Sequence, residues 1–224
     1  ISVQEGIYYE TINFQGKAIT VKGVNVENTI IDGSFTVGSV VTFDSGETNL
    51  SVLSQLWIRG GSGTYWTDPI FGSQLCGGGI FCDQSSPMIQ LCNITDNTAW
   101  GGGGLFVTDG DPYIIFCKCI NNEAAGHGGG FYLNNHVNAI IDLCDISNNI
   151  ASWGGGMTCM VQSDPQILNC SFNENITYNV GGGIYIRSSS SPDVFSSEFN
   201  NNIQISNPLG SGGGACIYGG SNGG

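Results

Sequence analysis

Side chains able to act as acids, bases or nucleophiles are sparse in this sequence of 224 residues. The only histidines are His127 and His136, and the only arginines are Arg59 and Arg187. Four aspartates lie near turns that contain proline: Asp109, Asp111, Asp164 and Asp193. General acid–base catalysis needs paired groups that converge on one cleft, and the spacing of these residues does not indicate such a pair. We therefore predict no catalytic residues.

The nine cysteines indicate packing rather than metal chemistry. No C-x-x-C pair occurs, and two histidines do not provide a zinc-binding pattern, so no metal ion or cofactor is predicted. Four cysteines recur at positions that other parts of the chain fill with small or apolar residues: Cys92, Cys117, Cys144 and Cys170. We interpret them as a buried column of small hydrophobic side chains, with one or two disulfides between neighbours as the alternative.

A repeated glycine string indicates the repeating unit in which the aspartates, histidines and cysteines are placed. It reads WGGGGLFV at 100–107 and returns, for example, as GHGGGFYL at 126–133 and VGGGIYI at 180–186. The first glycine of each triple stands at 77, 102, 128, 154, 181 and 212, so the steps are 25, 26, 26, 27 and 31 residues. This period fits one coil of a parallel β-helix with three strands and three corners. The glycines are expected to supply left-handed backbone angles and close approach of coils, not a phosphate site.

Alignment of the coils produces columns of one residue type. An unbroken asparagine column follows the second strand: Asn97, Asn122, Asn149, Asn175 and Asn202. Equivalent residues of stacked coils lie about 4.8 Å apart, and an amide both donates and accepts, so we expect a ladder along the axis. The predicted fold is all-β, a single right-handed parallel β-helix of about nine coils of about 26 residues.

The charge balance excludes several classes of partner. The chain carries 18 acidic residues against 5 lysines and arginines, a net charge of −13. So acidic a surface repels nucleic acid and anionic membranes, and no apolar stretch is long enough to predict a membrane span. Because Ile1 is not a start residue, we expect a mature or trimmed chain. The composition favours an extracellular or cell-surface protein.

The motifs resemble those of right-handed parallel β-helix proteins in the pectin-lyase-like superfamily. The resemblance begins in the opening coils, ISVQEGIYYETINFQGKAITVKG. Later strings, such as CNITDN, CDISNN and CSFNEN, are similar to repeats of polymorphic outer-membrane and related surface proteins. We divide the chain into N-terminal coils at 1–60, an inserted aromatic loop at 61–75 and regular coils at 76–224. This fold hosts lyases, hydrolases, esterases and inert adhesins, so the resemblance implies the fold but not the activity.

Enzyme signatures of that superfamily are incomplete in this chain. GIYYE at 6–10 matches the first motif of pectin methylesterases, but their aspartate pair and arginine motifs are missing. GHG at 126–128 resembles a string found in polygalacturonases, but the companion motifs of those enzymes are absent from this chain. We therefore expect a non-catalytic extracellular structural or adhesive β-helix. A carbohydrate-active or glycan-binding domain is the alternative.

Aromatic side chains form the main candidate contact surface. The position between two apolar columns after the glycine triples is aromatic in four coils: Phe81, Phe106, Tyr132 and Tyr185. Alternation points this position away from the core. The side chains form either an exposed strip for a partner or glycan, or a stack covered by loops. The insertion contains Tyr65, Trp66 and Phe71. We count these three as candidate binding residues as well, because loops added to a rigid scaffold often carry function.

Two further features concern modification and assembly. N-glycosylation sequons occur at Asn49, Asn93, Asn169 and Asn175. The chain starts inside a strand pattern and stops where a further strand is due, so we expect bare rims at both ends of the β-helix. Bare rims favour end-to-end or lateral self-association into a filament, or continuation in a larger parent chain. Glycans are the other partners considered.

Overall fold

Parallel β-strands wound into successive coils make up the described chain. The computed structural model describes residues 1–68, 72–205 and 212–218. Strands one coil apart pair in register, for example Ile80 with Leu105 and Leu105 with Phe131. Three sheets of eight strands run along the axis, which gives eight coils, close to the nine expected. The β-helix predicted from the glycine period is confirmed.

The three long sheets are named A, B and C in the order in which the chain enters them. Sheet A contains Ser2–Val3, Thr20–Gly23, Val52–Ser54, Met88–Gln90, Tyr113–Ile115, Ile140–Asp142, Gln166–Leu168 and Asp193–Phe195. Sheet B contains Gly6–Tyr8, Thr29–Asp32, Trp57–Arg59, Asn93–Thr95, Lys118–Ile120, Asp145–Ser147, Ser171–Asn173 and Glu198–Asn200. Sheet C contains Ile12–Asn13, Val41–Phe43, Ile80–Asp83, Leu105–Thr108, Phe131–Asn134, Met157–Met160, Ile184–Arg187 and Ala215–Tyr218.

A fourth sheet, D, was not expected from the sequence. Its first two strands, Thr64–Asp68 and Gly72–Cys76, form an antiparallel hairpin, called the hairpin below. Its other strands precede the later glycine triples or continue their stack: Thr98–Gly101, Glu123–His127, Ile150–Trp153, Ile176–Val180 and Ile203–Gln204. A regular coil therefore has four short strands rather than three.

Inward-facing apolar columns from sheets A, B and C form one continuous core. Alternation along each strand sends every second side chain inward. Sheet C contributes Ile80, Leu105, Phe131 and Met157, all fully buried. Since equivalent residues stack directly above one another, each apolar column of the sequence becomes an apolar ridge along the axis.

The glycine triples form the corner between sheets D and C. The first glycine of each triple has a positive φ, between 61° and 68°. The second glycine lies against the next coil: a Cβ built on Gly129 would stand 2.5 Å from the carbonyl oxygen of Gly155. This corner has no room for a side chain. The architectural role predicted for the glycines is confirmed.

The asparagine column forms a hydrogen-bonded ladder at the corner that follows sheet B. Asn149 shows the pattern: its Nδ2 donates to Oδ1 of Asn175 at 3.1 Å and to the carbonyl oxygen of Cys119 at 2.8 Å. Its Oδ1 accepts from the backbone N–H and from Nδ2 of Asn122, at 3.0 and 3.1 Å. Equivalent amide bonds join the first and last members of the column to their neighbours. The ladder therefore connects five successive coils.

Left-handed backbone angles at this corner belong to the residue before each ladder asparagine. Asn148, for example, has a φ of 56°, and the corresponding Asp96 and Glu174 have the same value. Tolerance of left-handed angles is thus not the reason for asparagine at the ladder positions. The amide is selected there because it donates and accepts at once.

The cysteine column forms a second ladder, in which thiols contact corner carbonyls. Sγ of Cys144 lies 3.2 Å from the carbonyl oxygen of Asp142 and 3.6 Å from that of Ile114, one coil earlier. One coil after Cys170, Ser197 occupies the equivalent position. Its Oγ contacts the carbonyl oxygens of Phe195 and Ile167 in the same way. All nine cysteines are free thiols, and eight of them are buried. The disulfide alternative is therefore not realised in the described chain.

Candidate functional site

The aromatic column of sheet C is buried, so the exposed strip considered as a partner surface does not exist. Phe81, Phe106, Tyr132 and Tyr185 are each at most 4% exposed. Ring centroids lie 5.6 Å apart between Phe81 and Phe106, and 5.3 Å apart between Phe106 and Tyr132. The column does point away from the main core, as alternation requires, but a second layer covers it. The covered-stack alternative is the one that the structure contains.

The hairpin forms part of that second layer. The Trp66 ring lies 5.0 Å from the Phe106 ring and is half-buried against it. Tyr65, one residue earlier, is 73% exposed, because neighbouring residues of a strand face opposite sides. Phe71 lies outside the described residues. The hairpin therefore covers the aromatic column and also supplies one wall of a pocket.

A pocket of about 410 Å³ opens between the hairpin and the carboxyl-terminal ends of sheet C strands. We call it the Trp66 pocket. It is lined by Trp66, Thr67, Asp68, Asp83, Gln84, Asp109, Asn134, Asn135 and Val161. One aromatic ring faces carboxylates and amides, and none of these lining residues is basic. Pockets of this size with a few convergent polar groups are typical of small-ligand sites.

Successive coils place their polar residues at this pocket because the strands of sheet C end in register. Asp83 pairs with Thr108, and Thr108 pairs with Asn134. The residue after each of these has a left-handed backbone angle, as does Val161 at φ 54°. Left-handed angles also recur at other corners of the coil, for example at Leu91 and Phe116, so they belong to the corner geometry of the repeat.

Two carboxylates lie near the rim of the pocket. Nδ2 of Asn135 donates to both carboxylate oxygens of Asp109, at 2.6 and 2.7 Å. Asp83 is half-buried, and burial raises the pKa of its carboxyl. A hydrogen bond from Gln84 opposes this rise in pKa, whereas the negative charges of Asp109 and Asp44 add to it. The lining residues of the pocket therefore include three aspartates and no basic side chain.

Asp68 and Asn134 form the floor of the pocket, and they are 5% and 2% exposed. Nδ2 of Asn134 donates to Oδ2 of Asp68 at 3.3 Å. Oδ1 of Asn134 is buried without a hydrogen-bond partner. A buried acceptor left unsatisfied costs about 1–3 kcal/mol, and such atoms are rare in native structures. An unsatisfied acceptor therefore belongs to a residue that lines the pocket.

The histidine of the GHG string lies in an aromatic layer rather than in an open cleft. The His127 ring stacks on Trp153 and Tyr132, with centroids 4.9 and 5.3 Å away. Burial lowers the pKa of His127 to about 4, and the positive charge of Arg187 contributes to the shift. Glu10 is exposed in the first coil and does not line the Trp66 pocket. The structure brings neither residue into the site.

One of the four sequons is excluded as a glycosylation site. Asn175 is fully buried, and its Nδ2 donates twice, to the carbonyl oxygen of Ile146 and to the next ladder asparagine. A glycan on this nitrogen would replace one of its two hydrogens and break one of these bonds, and the buried position has no room for a sugar. Asn49 and Asn169 are exposed and Asn93 is half-buried, so glycosylation at these three remains a prediction.

The thiols of the described chain are shielded and are not grouped as metal ligands. Burial raises the pKa of Cys82 and of Cys119 well above the usual thiol value, so these side chains stay protonated. Within residues 1–68, 72–205 and 212–218, no three histidines, cysteines or acidic residues are arranged to hold a metal ion. The same ranges contain no helix with the length and apolarity to cross a membrane.

Most of the residues that line the Trp66 pocket were not predicted as site residues from the sequence. Trp66 was a binding candidate, and Asp109 was noted only as an aspartate near a turn. Asp83 and Asn134 occupy one aligned column two positions after the aromatic column of sheet C, and that alignment was the available signal. The contact between Asp68 and Asn134 joins residues 66 positions apart, and the sequence contains no local pattern that announces it.

Comparison with known families agrees with the observed coils. A family model for the right-handed β-helix region matches residues 54–223, more than half of the chain. The chain belongs to the right-handed β-helix family. The right-handed winding predicted from the motifs is therefore confirmed, and the aligned columns are the repeats of that family.

A solved structure shares this right-handed β-helix along nearly its whole length. The pectin methylesterase from Yersinia enterocolitica is 12% identical, and the match covers 97% of this chain and 88% of that chain with a TM-score of 0.54. At this identity the likeness shows the fold alone. No curated protein matches the chain. Function must therefore be argued from the Trp66 pocket.

Proposed function

We propose that this right-handed β-helix is a non-catalytic extracellular adhesive domain that binds a glycan in the Trp66 pocket. The observation that carries the proposal is the juxtaposition of one half-buried indole with carboxylate and amide side chains around about 410 Å³. A sugar ring has an apolar C–H face and a polar edge of hydroxyl groups. An aromatic ring packs against the first, and carboxylates and amides bond the second.

The scaffold supports a binding role because it holds the pocket residues rigidly. Asp83, Asp109 and Asn134 stand at or next to the ends of hydrogen-bonded sheet C strands. Trp66 is held by its pairing with Gln74 in the hairpin and by the Phe106 ring. A site built on rigid elements loses little conformational entropy when a ligand binds.

Two features support an extracellular setting for the proposed function. Eight of the nine thiols are buried, so they are shielded from oxidants, which are more abundant outside the cell. The exposed sequon residues Asn49 and Asn169 lie at surface positions where a glycan fits. The net charge of −13 favours solubility.

The proposed function is tested by measuring oligosaccharide binding to the whole chain. Neutral gluco-, manno- and chito-oligosaccharides and oligogalacturonate are titrated calorimetrically into the wild type, Trp66→Ala and Trp57→Ala. Trp57 is the matched control because it is half-buried on sheet B, away from the pocket. We expect a neutral or amino oligosaccharide to bind and Trp66→Ala to weaken binding at least about tenfold. No binding by any oligosaccharide, or equal loss in both variants, contradicts the proposal.

Hydrolysis of a glycan is the second candidate, and the state of Asp83 favours it. Asp83 and Asp109 line the same pocket, and burial and the neighbouring charges of Asp109 and Asp44 raise the pKa of Asp83. Two carboxyl groups in one site, one of them with a raised pKa, are the pattern of a glycosidase acid. The two candidates differ in one observable. Turnover of a bound oligosaccharide that is lost in Asp83→Asn supports hydrolysis, whereas binding without products supports the adhesive role.

Self-association is a further part of the proposal, and it concerns the two rims of the β-helix. Ile7 and Tyr9 are exposed in the first coil, and Ile203 and Ile217 are exposed in the last described strands. Among the described residues, the first and last strands of each long sheet pair with a neighbour on one side only, which leaves backbone groups of each rim without a strand partner. A further coil, from the same polypeptide or from another molecule, would pair these groups and cover the apolar side chains.

A further inference from the structure

The Trp66 pocket is rich in hydrogen-bond acceptors and in negative charge. Three of its lining residues are aspartates, namely Asp68, Asp83 and Asp109, and an ionised carboxylate accepts hydrogen bonds without donating any. No lining residue is basic. The surrounding protein adds to this field, because the net charge of the chain is −13. The ligand that complements such a pocket is rich in donors and is not an anion.

The side-chain oxygen of Asn134, at the floor of the pocket, also lacks a hydrogen-bond donor. Oδ1 of Asn134 is buried and has no partner, and Asn134 is 2% exposed. Exchange of the amide oxygen and nitrogen would not help, because Nδ2 already donates to the Asp68 carboxylate, which an oxygen in that place would repel. Asn134 lines the pocket, so a donor that reached Oδ1 from the pocket would supply its missing partner.

The polar groups lie at two levels, which indicates more than one donor on the ligand. Asp68 and Asn134 are buried at the floor, whereas Gln84 and Asp109 are exposed at the rim. A lysine side chain carries one ammonium group on an apolar stem, so it can donate hydrogen bonds at only one of these two levels. A saccharide ring carries donors around its edge and an apolar face for the Trp66 indole, so it serves both levels.

We infer that the Trp66 pocket selects an amino sugar that carries a free primary ammonium group. The ammonium lies against the carboxylates of Asp83 and Asp109 near the rim, the ring packs on Trp66, and a hydroxyl group of the sugar faces the floor. Cation–π attraction to the indole adds to this preference. The inference rests on the proposed glycan-binding function and names its ligand class. Uronate polymers are excluded by charge repulsion.

The experiment compares oligosaccharides that differ only in the charge of the amine. Fully deacetylated chitotriose, N-acetylated chitotriose and trilysine are titrated into the whole chain at a pH where free amines are protonated. We expect the deacetylated sugar to bind about tenfold more tightly than its acetylated form, because acetylation removes the positive charge.

Asp83→Asn is the variant that reports on the charge. It removes a carboxylate that burial and its neighbours already disfavour, so the fold is retained, and a thermal melt checks this. We expect about a tenfold loss in affinity for the deacetylated sugar and a smaller loss for the acetylated one, because asparagine keeps hydrogen-bonding groups but not the charge. Glu123→Gln removes the same charge from an exposed position on sheet D and should leave both affinities unchanged.

The outcomes separate this inference from the proposed function. Equal binding of both chitotrioses, abolished by Trp66→Ala, overturns the amino-sugar inference and leaves glycan binding standing. Tighter binding of trilysine than of either sugar overturns the inference in favour of a basic peptide. Binding of none of the three, together with none of the neutral sugars, overturns both proposals.

Discussion

At the scale of single residues, the coil corners are held by buried polar side chains whose hydrogen bonds are nearly complete. Asn149 accepts two bonds from Asn122 and donates to Asn175 and to the carbonyl oxygen of Cys119. Leucine at this position could make none of these bonds. The neighbouring groups would stay buried without partners, and that loss costs more than the bonds themselves contribute.

Asn149→Leu is therefore expected to lower the free energy of unfolding by about 3 kcal/mol or more, since several buried groups lose their partners together. Denaturant unfolding followed by circular dichroism measures the change. The matched control is Asn200→Leu, an exposed asparagine on sheet B, which should change stability by less than about 0.5 kcal/mol. Equal stability of the wild type and Asn149→Leu would show that the ladder contributes nothing.

Glu47 is a buried carboxylate whose bonds connect loops of neighbouring coils. It accepts hydrogen bonds from the backbone N–H groups of Gly16 and Ser45, at 2.7 and 2.9 Å, and from Oγ of Ser85 at 2.8 Å. Burial alone would raise the pKa of Glu47, but these bonds outweigh burial and lower it from 4.5. The ionised form is thus stabilised more in the folded chain than in the unfolded chain.

The lowered pKa of Glu47 predicts a pH-dependent stability. The contribution is fully present above pH 4.5, the ordinary value for this group, and is lost as the pH falls through the lower folded-state pKa. Glu47→Gln should cost about 1–3 kcal/mol at neutral pH, and its difference from wild type should shrink as the pH falls below that ordinary value. Glu27→Gln, at an exposed site, is the control. A difference that is constant with pH would refute the assignment.

At the scale of elements, the hairpin and sheet D turn the outward aromatic column of sheet C into a second core. Phe106 is fully buried between Phe81 and Tyr132, with Trp66 above it. Burial on the outward face is possible because sheet D folds back over sheet C. The same layering borders the pocket, whose lining includes Trp66 of the hairpin and Asp83 of sheet C.

Phe106→Ala is expected to destabilise the chain by about 3–5 kcal/mol, as for other large-to-small core substitutions. Phe195, exposed on sheet A, is the matched control, and Phe195→Ala should change stability by less than about 0.5 kcal/mol. Thermal and denaturant unfolding provide the measurement. Similar small effects in both variants would mean that the column behaves as an exposed strip after all.

At the scale of the whole molecule, the apolar rims and the net negative charge have opposite effects on self-association. The exposed side chains of Ile203 and Ile217 favour contact with another coil. The net charge of −13 opposes the approach of a second copy. Salt screens the repulsion but leaves apolar contact intact, so association should increase with ionic strength.

We expect light scattering at rising concentration to show association that grows with salt and that Ile217→Lys reduces. Leu50→Lys provides the control, because it adds the same charge at an exposed site on the side of the β-helix. Both variants lower the net negative charge equally, so only the rim substitution should weaken association. A monomer at high concentration and high salt would contradict the proposal of self-association.

The sequence by itself determined the coil, its period and its corners. A glycine triple, an asparagine and a cysteine that recur at about the same interval require stacked equivalents, because only stacking makes one residue type optimal in every coil. Gly129 and Asn149 were therefore assigned their structural roles from spacing alone. These roles depend on contacts between equivalent positions, which a repeat displays directly.

Only the tertiary structure decided which outward face is covered and where a pocket forms. Alternation shows that Phe106 points outward, but the pattern does not show that the hairpin and sheet D lie over it. The pocket combines Asp68 and Trp66 of the hairpin with Asp83, Asp109 and Asn134 of three different coils. Contacts between a non-repeating insertion and the repeat have no periodic signal, because their geometry depends on how the hairpin packs and not on the spacing of residues along the chain.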